Sequence, residues 1–330
     1  DVCSSDLPDY HVCPEAELVA FCDVKRARAQ AMADRFAPEA RVYSDYKTML
    51  KEGGFEAVSV CTPNVTHGPI TVAAAKAGCH VLVEKPMATS SAEAQRMIDA
   101  AKHARVLLMV DQSQRPYAAH RKAREVVESG ILGKILHVQA MFGHDGPDEW
   151  SPTAKWFFQK KHARFGAMAD LGVHKADLVR FVTGKEIAEI GAFTARLEKK
   201  RCDVEDNFVG ALTFTDGTVG TLSASWTVHG ASGDYMVLYC ANGTLSINVW
   251  PERPLVAHLK NPSGEVEFEL PAPLNYYEDG WGIDIGGGFV RAAMGLEPPF
   301  CSGEEGKKSL EVILAAEKAA QTGKTVKLRH

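Results

Sequence analysis

Two short stretches of this sequence carry residue types and spacings that can do chemistry. The first is Val81-Leu-Val-Glu84-Lys85-Pro86-Met87. Its β-branched apolar run reads as a buried strand, and Pro86, which cannot donate to a ladder, ends it. Lys85 therefore falls at a carboxyl-terminal strand edge. Ligands bind at that edge in open α/β sheets, so a lysine fixed between Glu84 and Pro86 is placed to meet a substrate. The plain alternative is a lysine that merely leaves the sheet for solvent. The second stretch is Gly166-Ala-Met-Ala-Asp170-Leu-Gly-Val-His174-Lys-Ala-Asp177. Asp170 and His174 are four apart, so on a helix they share a face, and the carboxylate can orient the imidazole or share a ligand hydroxyl with it. A histidine near its ordinary pKa is a natural acceptor for an alcohol proton when hydride leaves the same carbon. A helix with one surface Asp/His pair is the plain alternative here.

The elements that position these residues can be read in chain order. Glu17 to Cys22 is an apolar run closed by Asp23, and an Ala/Arg-rich stretch with helical spacing follows to Phe36. An acidic side chain just past the second strand of a dinucleotide fold accepts hydrogen bonds from the adenosine ribose hydroxyls, and its charge repels a 2′-phosphate. Asp23 could equally be the N-cap of the helix, and Lys25 and Arg26 leave the phosphate question open. A short strand at Arg41 to Tyr43, a helix from Asp45 to Glu52, a buried strand at Ala57 to Cys61 and a helix from about His67 to Ala77 lead to the Lys85 strand. A helix from Ser90 to Ala104 and a strand at Val106 to Val110 follow. This alternation specifies right-handed βαβ units and a parallel sheet. A dinucleotide fold should open with a strand and a G-x-G-x-x-G turn, and nothing before Glu17 supplies either. Gly286-Gly287-Gly288 lies too late in the chain to serve and reads as backbone close to another element.

The pattern changes after the helix at Ala118 to Glu128. A long strand at Lys134 to Gly143, a helix from Gly166 to Thr183 and mostly strands from Ala188 to Phe268 specify an α+β domain with an antiparallel or mixed sheet. Thr215-Asp216-Gly217 is a hairpin signal between Val209–Phe214 and Val219–Ser225. Helices at Ile283 to Met294 and Ser309 to Thr322 and a strand at Val326 to Leu328 close the chain.

The 330 residues, 45% hydrophobic, can bury a large core and suggest two domains. A net charge of −5 with no basic cluster gives no support for nucleic-acid binding. No run reaches the apolar length of a bilayer span and no charged-then-apolar leader opens the chain, so a soluble cytoplasmic protein without a membrane partner is expected. The eight scattered cysteines, without a C-x-x-C pair, argue for reduced thiols and against a zinc site. Asp1-Val-Cys-Ser-Ser-Asp-Leu7 is what the sequencing-adapter string GAC GTG TGC TCT TCC GAT CT encodes, so these residues are read as a scar and excluded from fold reasoning. The expected boundaries are an artefact at 1–7, a dinucleotide domain lacking its first strand and glycine loop at 8–115, and a substrate-binding and oligomerisation domain at 116–330. Loss of a central first strand would leave two ladders unpaired and remove the pyrophosphate-binding turn, so a partly disordered N-terminal half and poor NAD binding are expected.

Thr62-Pro63-Asn64 with His67, then Ala77-Gly78-Cys79-His80-Val81-Leu82-Val83-Glu84-Lys85-Pro86, then Arg115, then Asp170-Leu-Gly-Val-His174, in that order and spacing, resemble the Gfo/Idh/MocA family of NAD(P)-dependent oxidoreductases. The resemblance covers nearly all of the chain from about Pro14. It implies a Rossmann-type doubly wound domain followed by a domain whose large open sheet packs on a partner subunit as a homodimer or homotetramer. It implies NAD as cofactor, with NADP as the alternative, and a sugar, a cyclitol or a derivative as substrate. Lys85 would hold the reacting hydroxyl, His174 would be acid/base, and Asp170 would bind substrate or steer His174. Asp23, Thr62, Pro63, Asn64, His67, Glu84, Lys85 and Arg115 would surround the cofactor. Where the family has a glycine run before the D-x-x-x-H segment, this chain has Phe165-Gly166-Ala167, with one glycine. An NAD-dependent glycosidase of the same family and a cofactor-sensing binding protein are the competing readings. The loop from Gly143 to Arg164, with Trp150, Trp156, Phe157 and Phe158, is expected to shape the substrate pocket.

Overall fold

A computed structural model describes residues 6–230, 233–271 and 284–328. The chain divides into two compact units, 1–113 with 272–304, and 114–271 with 305–330.

In the first unit the elements run α1 (Asp6–Val12), β1 (Ala20–Cys22), α2 (Arg26–Phe36), β2 (Arg41–Tyr43), α3 (Tyr46–Glu52), β3 (Ala57–Val60), α4 (His67–Lys76), β4 (His80–Glu84), α5 (Ser91–Ala104) and β5 (Leu108–Asp111). All strand pairs are parallel, and they form two pieces, β1-β2 and β3-β4-β5. Among the described residues no strand lies between β1 and β3. Both pieces have the parallel pairing of a doubly wound sheet, and β1 and β3 do not pair with each other. This explains why the Ala57 strand is not the buried one its apolar run suggests: Ala57 is exposed and Val58 and Ser59 are half-buried, because β3 pairs only with β4. In contrast, β4 has neighbours on both sides and is buried from Val81 to Glu84.

Asp6 and Leu7 begin helix α1, and Leu7 is buried against Phe21, Ala29 and Ala33. Residues 1–5 lie outside the described residues. The single boundary at 116 is corrected, because α10 (Ile285–Ala293) returns to the first unit and buries Ile285 and Phe289 with Tyr10, Leu82 and Met109. The glycine triplet permits this approach, as the sequence suggested. A Cβ on Gly286 would sit 2.8 Å from that of Asp9, and one on Gly288 would sit 2.2 Å from the Phe300 ring.

The second unit holds α6 (Ala118–Glu128), β6 (Ile135–Gly143), α7 (Pro147–Trp150), α8 (Lys160–Ala163), α9 (Val173–Thr183), β7 (Ile187–Ala195), β8 (Asn207–Phe214), β9 (Val219–Ser225), β10 (Tyr235–Cys240), β11 (Gly243–Trp250), β12 (Arg253–Lys260) and β13 (Ser263–Glu267). The long helix α11 (Gly303–Thr322) starts at the end of the first unit and runs into this one, and β14 (Val326–Lys327) follows it. One nine-stranded sheet has the order β13-β12-β11-β10-β6-β9-β8-β7-β14, antiparallel except for the parallel β6–β9 pair. Helices α6, α9 and α11 cover one face, where Ala123, Val179 and Ile313 meet Val138, Phe208, Leu222 and Leu245. The other face follows the period-2 alternation, with Phe193 82% and Val209 53% exposed.

Candidate functional site

In the first unit the parallel register sets the edge. Val60 lies opposite Val83, and Glu84 opposite Asp111, so Thr62, Lys85 and Gln112 all leave the sheet at its carboxyl end. Lys85 is half-buried there, and its backbone N–H donates to the Glu84 carboxylate at 3.1 Å. His67 clamps this edge. Its ring nitrogens lie 2.9 Å from the Pro86 carbonyl and 2.6 Å from the Thr62 carbonyl, tying the ends of β3 and β4 together. Burial holds its pKa below the ordinary value despite those carbonyls, so at neutral pH one ring nitrogen donates and the other only faces its oxygen. Pro63 caps a 3₁₀ turn, Asn64–Thr66, in which Asn64 is buried and the Thr66 hydroxyl lies 2.8 Å from that of Thr62. The structure thus brings Thr62, Pro63, Asn64, His67, Glu84 and Lys85 to one sheet edge.

Asp23 follows β1 at the same end of its own sheet piece. It is not the helix cap, a position held by Lys25, and its Oδ1 accepts the Lys25 N–H at 2.6 Å. The Arg26 guanidinium donates to the Val42 carbonyl instead of reaching out. A carboxylate with lone pairs to spare at a strand end fits the ribose hydroxyls of a dinucleotide. The glycine turn that would hold the pyrophosphate is absent from the described residues. Sequence reasoning missed Asp111, which is 4% exposed at the end of β5 with Oδ1 unpaired among the described residues. Burial pushes its carboxyl up to about 7, against the pull of the Lys85 charge.

In the second unit the D-x-x-x-H segment is not one regular helix from Gly166. Met168–Gly172 is a π-helical turn that leads into α9, and Asp170 sits on it. Such turns are rare and concentrate at functional sites. Asp170 is 8% exposed, and its Oδ2 accepts the indole N–H of the fully buried Trp226 at 2.9 Å. His174, 6% exposed, packs its ring 5.9 Å from that of Phe142. Trp150 is half exposed and lies edge-on to Phe157, whose ring stacks on Trp156, so these aromatics of the Gly143–Arg164 loop form one cluster.

Arg115, unlike the other residues expected around the cofactor, lies in the second unit, 7% exposed, and grips Asp177 with two hydrogen bonds of 2.6 and 2.8 Å. The sequence offered no signal for this pair beyond the Asp177 that ends the motif. Lys175, wholly buried against Asp234 and Gln114, was missed as well, because a lysine next to a motif histidine reads as surface.

A parallel sheet with an acid just past one strand and a lysine at the end of another, in a chain that also holds a buried Asp/His segment over an open sheet, is the arrangement of a two-domain NAD-dependent oxidoreductase. The profile of the oxidoreductase family with an NAD-binding Rossmann fold, GFO/IDH/MocA, matches residues 6–112, and that of the GFO/IDH/MocA C-terminal domain matches residues 120–246. The chain is 31% identical to 1,5-anhydro-D-fructose reductase of Ensifer adhaerens, over 94% of this chain and 91% of that one. It is 27% identical to myo-inositol 2-dehydrogenase of Thermotoga maritima, over 96% and 92%. A solved levoglucosan dehydrogenase in complex with NADH and levoglucosan superposes with a TM-score of 0.85 at 25% identity, covering 99% of this chain and 96% of that one. The chain belongs to the Gfo/Idh/MocA family.

Proposed function

We propose that this protein moves a hydride between NAD and a hydroxyl or keto carbon of a sugar, a cyclitol or a derivative. The observation that carries the reading is the buried, indole-held Asp170 on a π turn one helical step before His174, in a chain whose other unit presents Lys85 at the cofactor edge. Bound NAD⁺ supplies the hydride acceptor. The Lys85 ammonium donates to the reacting oxygen and stabilises its alkoxide character, and His174 takes the hydroxyl proton. Asp170, fixed by Trp226, steers His174 or accepts from a neighbouring substrate hydroxyl. Asp23 receives the ribose hydroxyls, and Thr62, Pro63, Asn64 and Glu84 shape the nicotinamide side. His67 acts by holding that edge together, since both its nitrogens face protein carbonyls, and Arg115 serves the inside of the second unit. The exposed apolar face around Phe193 and Val209 is the surface a second copy would cover, giving a dimer or tetramer through the open sheet. Among the described residues no helix is long and apolar enough to cross a membrane.

The test is a panel of myo-inositol, levoglucosan and other polyols with NAD⁺, and 1,5-anhydro-D-fructose with NADH, followed by nicotinamide absorbance. Net cofactor conversion with at least one is expected. Turnover of a glycoside without net NADH would move the protein to the glycosidase reading, and no turnover of any kind would overturn the enzyme assignment.

NAD is expected to be preferred over NADP, because the Asp23 carboxylate meets the extra phosphate. Repulsion of about 1 kcal/mol between unit charges 4 Å apart in water, and more near a protein surface, sets the preference at roughly fivefold or above. Asp23→Ser should narrow it. Equal kcat/KM for the two cofactors before mutation would show that Lys25 or Arg26 overrides the repulsion.

A further inference from the structure

Glu205 and Asp206, just before β8, are the point from which the Asp170 segment is held. One Glu205 oxygen, Oε1, accepts the N–H of Gly166 at 2.8 Å and of Met168 at 3.2 Å, while the Glu205 carbonyl accepts the N–H of Ala167 at 2.9 Å. Three successive N–H groups at the entry to the π turn, which have no partner within a helix, are thus satisfied by one residue. The approach is so close that a Cβ on Gly166 would lie 1.8 Å from the Glu205 carbonyl oxygen, so the single glycine retained before the motif is the one this contact requires. The Asp206 carbonyl accepts the N–H of Trp226 at 2.8 Å, and the Trp226 indole in turn holds Asp170. Asp206 is itself fixed, since its carboxylate collects the N–H groups of Leu197, Glu198 and Lys199.

We propose that Glu205 is a positioning residue for the reaction, fixing Asp170 and His174 through the backbone of residues 166 to 168. The proposal rests on the roles given to Asp170 and His174 above. Glu205 touches neither side chain; it acts by setting where the π turn begins.

The carboxyl also titrates in a useful range. Burial pushes it up to about 7, opposed by the backbone N–H groups of Glu205 itself, Gly166 and Met168 and aided by Glu317. The charged groups around it are Lys160, Arg164, Asp203 and Glu317, which line the same small cavity of about 180 Å³, with Arg164 paired to Glu317 at 3.0 Å. As pH rises through 7 the ionised carboxylate makes the Gly166 and Met168 bonds charge-assisted and grips the turn more firmly. Global stability runs the other way. A carboxyl whose folded pKa is raised from 4.5 to about 7 contributes stability that is lost as pH climbs between those values and is flat above them.

Glu205→Gln and Glu205→Ala in the full chain separate the possibilities. The first keeps a neutral acceptor of the same shape; the second removes it. Amide hydrogen exchange of peptides covering residues 166 to 174 needs no substrate, and it should quicken about tenfold or more in the alanine variant and little in the glutamine variant. With the polyol panel and NAD⁺, the alanine variant should lose about 10-fold to 10²-fold in kcat with KM changed less than about threefold, the scale of a misplaced catalytic group. The glutamine variant should match wild type near pH 6 and fall behind it near pH 8. Unchanged exchange in Glu205→Ala would overturn the proposal, and so would faster exchange with kcat unaltered, which would leave Glu205 merely structural. A wild-type protein that converts no substrate would sink the dehydrogenase reading by itself, while the exchange measurement would still decide whether Glu205 anchors the turn.

Discussion

Replacing Lys85 or His174 with alanine is expected to lower kcat by about 10² to 10⁴, the usual contribution of a positioned acid or base, while the NADH dissociation constant changes little. In the proposed mechanism Lys85 acts on the reacting oxygen and His174 on its proton. Lys85 leaves a buried strand at a fixed point, between a Glu84 that accepts its backbone N–H and a loop held by His67, so its stem cannot wander far from the edge. His174 is buried on a helix whose entry is tied down and whose ring packs on Phe142. Lys85 is half-buried, so its replacement should move the melting temperature little, whereas removing the buried His174 ring leaves a cavity and should lower it by several degrees. Fluorescence titration with NADH and steady-state turnover, measured on the same preparations, check both halves. Turnover near wild type in either variant would remove that residue from the chemistry, and a large loss of NADH affinity in His174→Ala would assign it to the cofactor instead.

Much of the fold is legible in the sequence because its signals are local. The β-branched runs, the helical spacings and the Asp216-Gly217 hairpin turn each fix an element within a few residues of where it lies. Asp45 and Ser90, placed at the starts of their helices, turn out to be the caps: Asp45 accepts the Thr48 N–H and Ser90 that of Glu93. The errors have a common cause, which is that burial depends on neighbours distant in the chain. The residues of Ala57–Val60 read as buried by themselves, and their open flank follows only from the absence of a strand elsewhere in the chain, while nothing between 272 and 304 says that α10 belongs with the first unit.

The sequence offers the residue types of the candidate site and less of its geometry. Asp170 and His174 were read as one face of a regular helix, but a π turn differs from an α turn by less than one residue per turn, and over five positions no hydrophobic period can register that. Trp226 and Glu205 lie 56 and 39 residues away from the groups they hold, and no spacing rule links them. Lys175 and Asp111 were invisible for a related reason. A lysine and an aspartate in a polar context carry no mark of being buried until the packing that buries them is known.

Arg115→Ala is expected to cost about 3–5 kcal/mol of stability, the penalty of leaving a buried carboxylate without its counter-ion, and to leave NADH affinity within about twofold of wild type. The guanidinium and the Asp177 carboxylate meet fork to fork, with the Arg115 side chain 8% and the Asp177 side chain 1% exposed. Asp177 also accepts from Ser309 at 2.9 Å, and Ser309 receives Arg180, which reaches Glu186 and Glu305. Removing Arg115 therefore strands a charge in a network that cannot rearrange to solvate it. In urea the midpoint should fall by roughly 1–3 M. Asp177→Ala should cost a similar amount, and Arg115→Leu with Asp177→Leu should recover most of the loss, because an apolar pair of similar bulk removes both desolvation penalties at once. If Arg115 instead binds the cofactor, Arg115→Ala will weaken NADH binding by tenfold or more while Asp177→Ala does not. Calorimetric titration of the two single variants therefore separates an internal brace from a cofactor ligand.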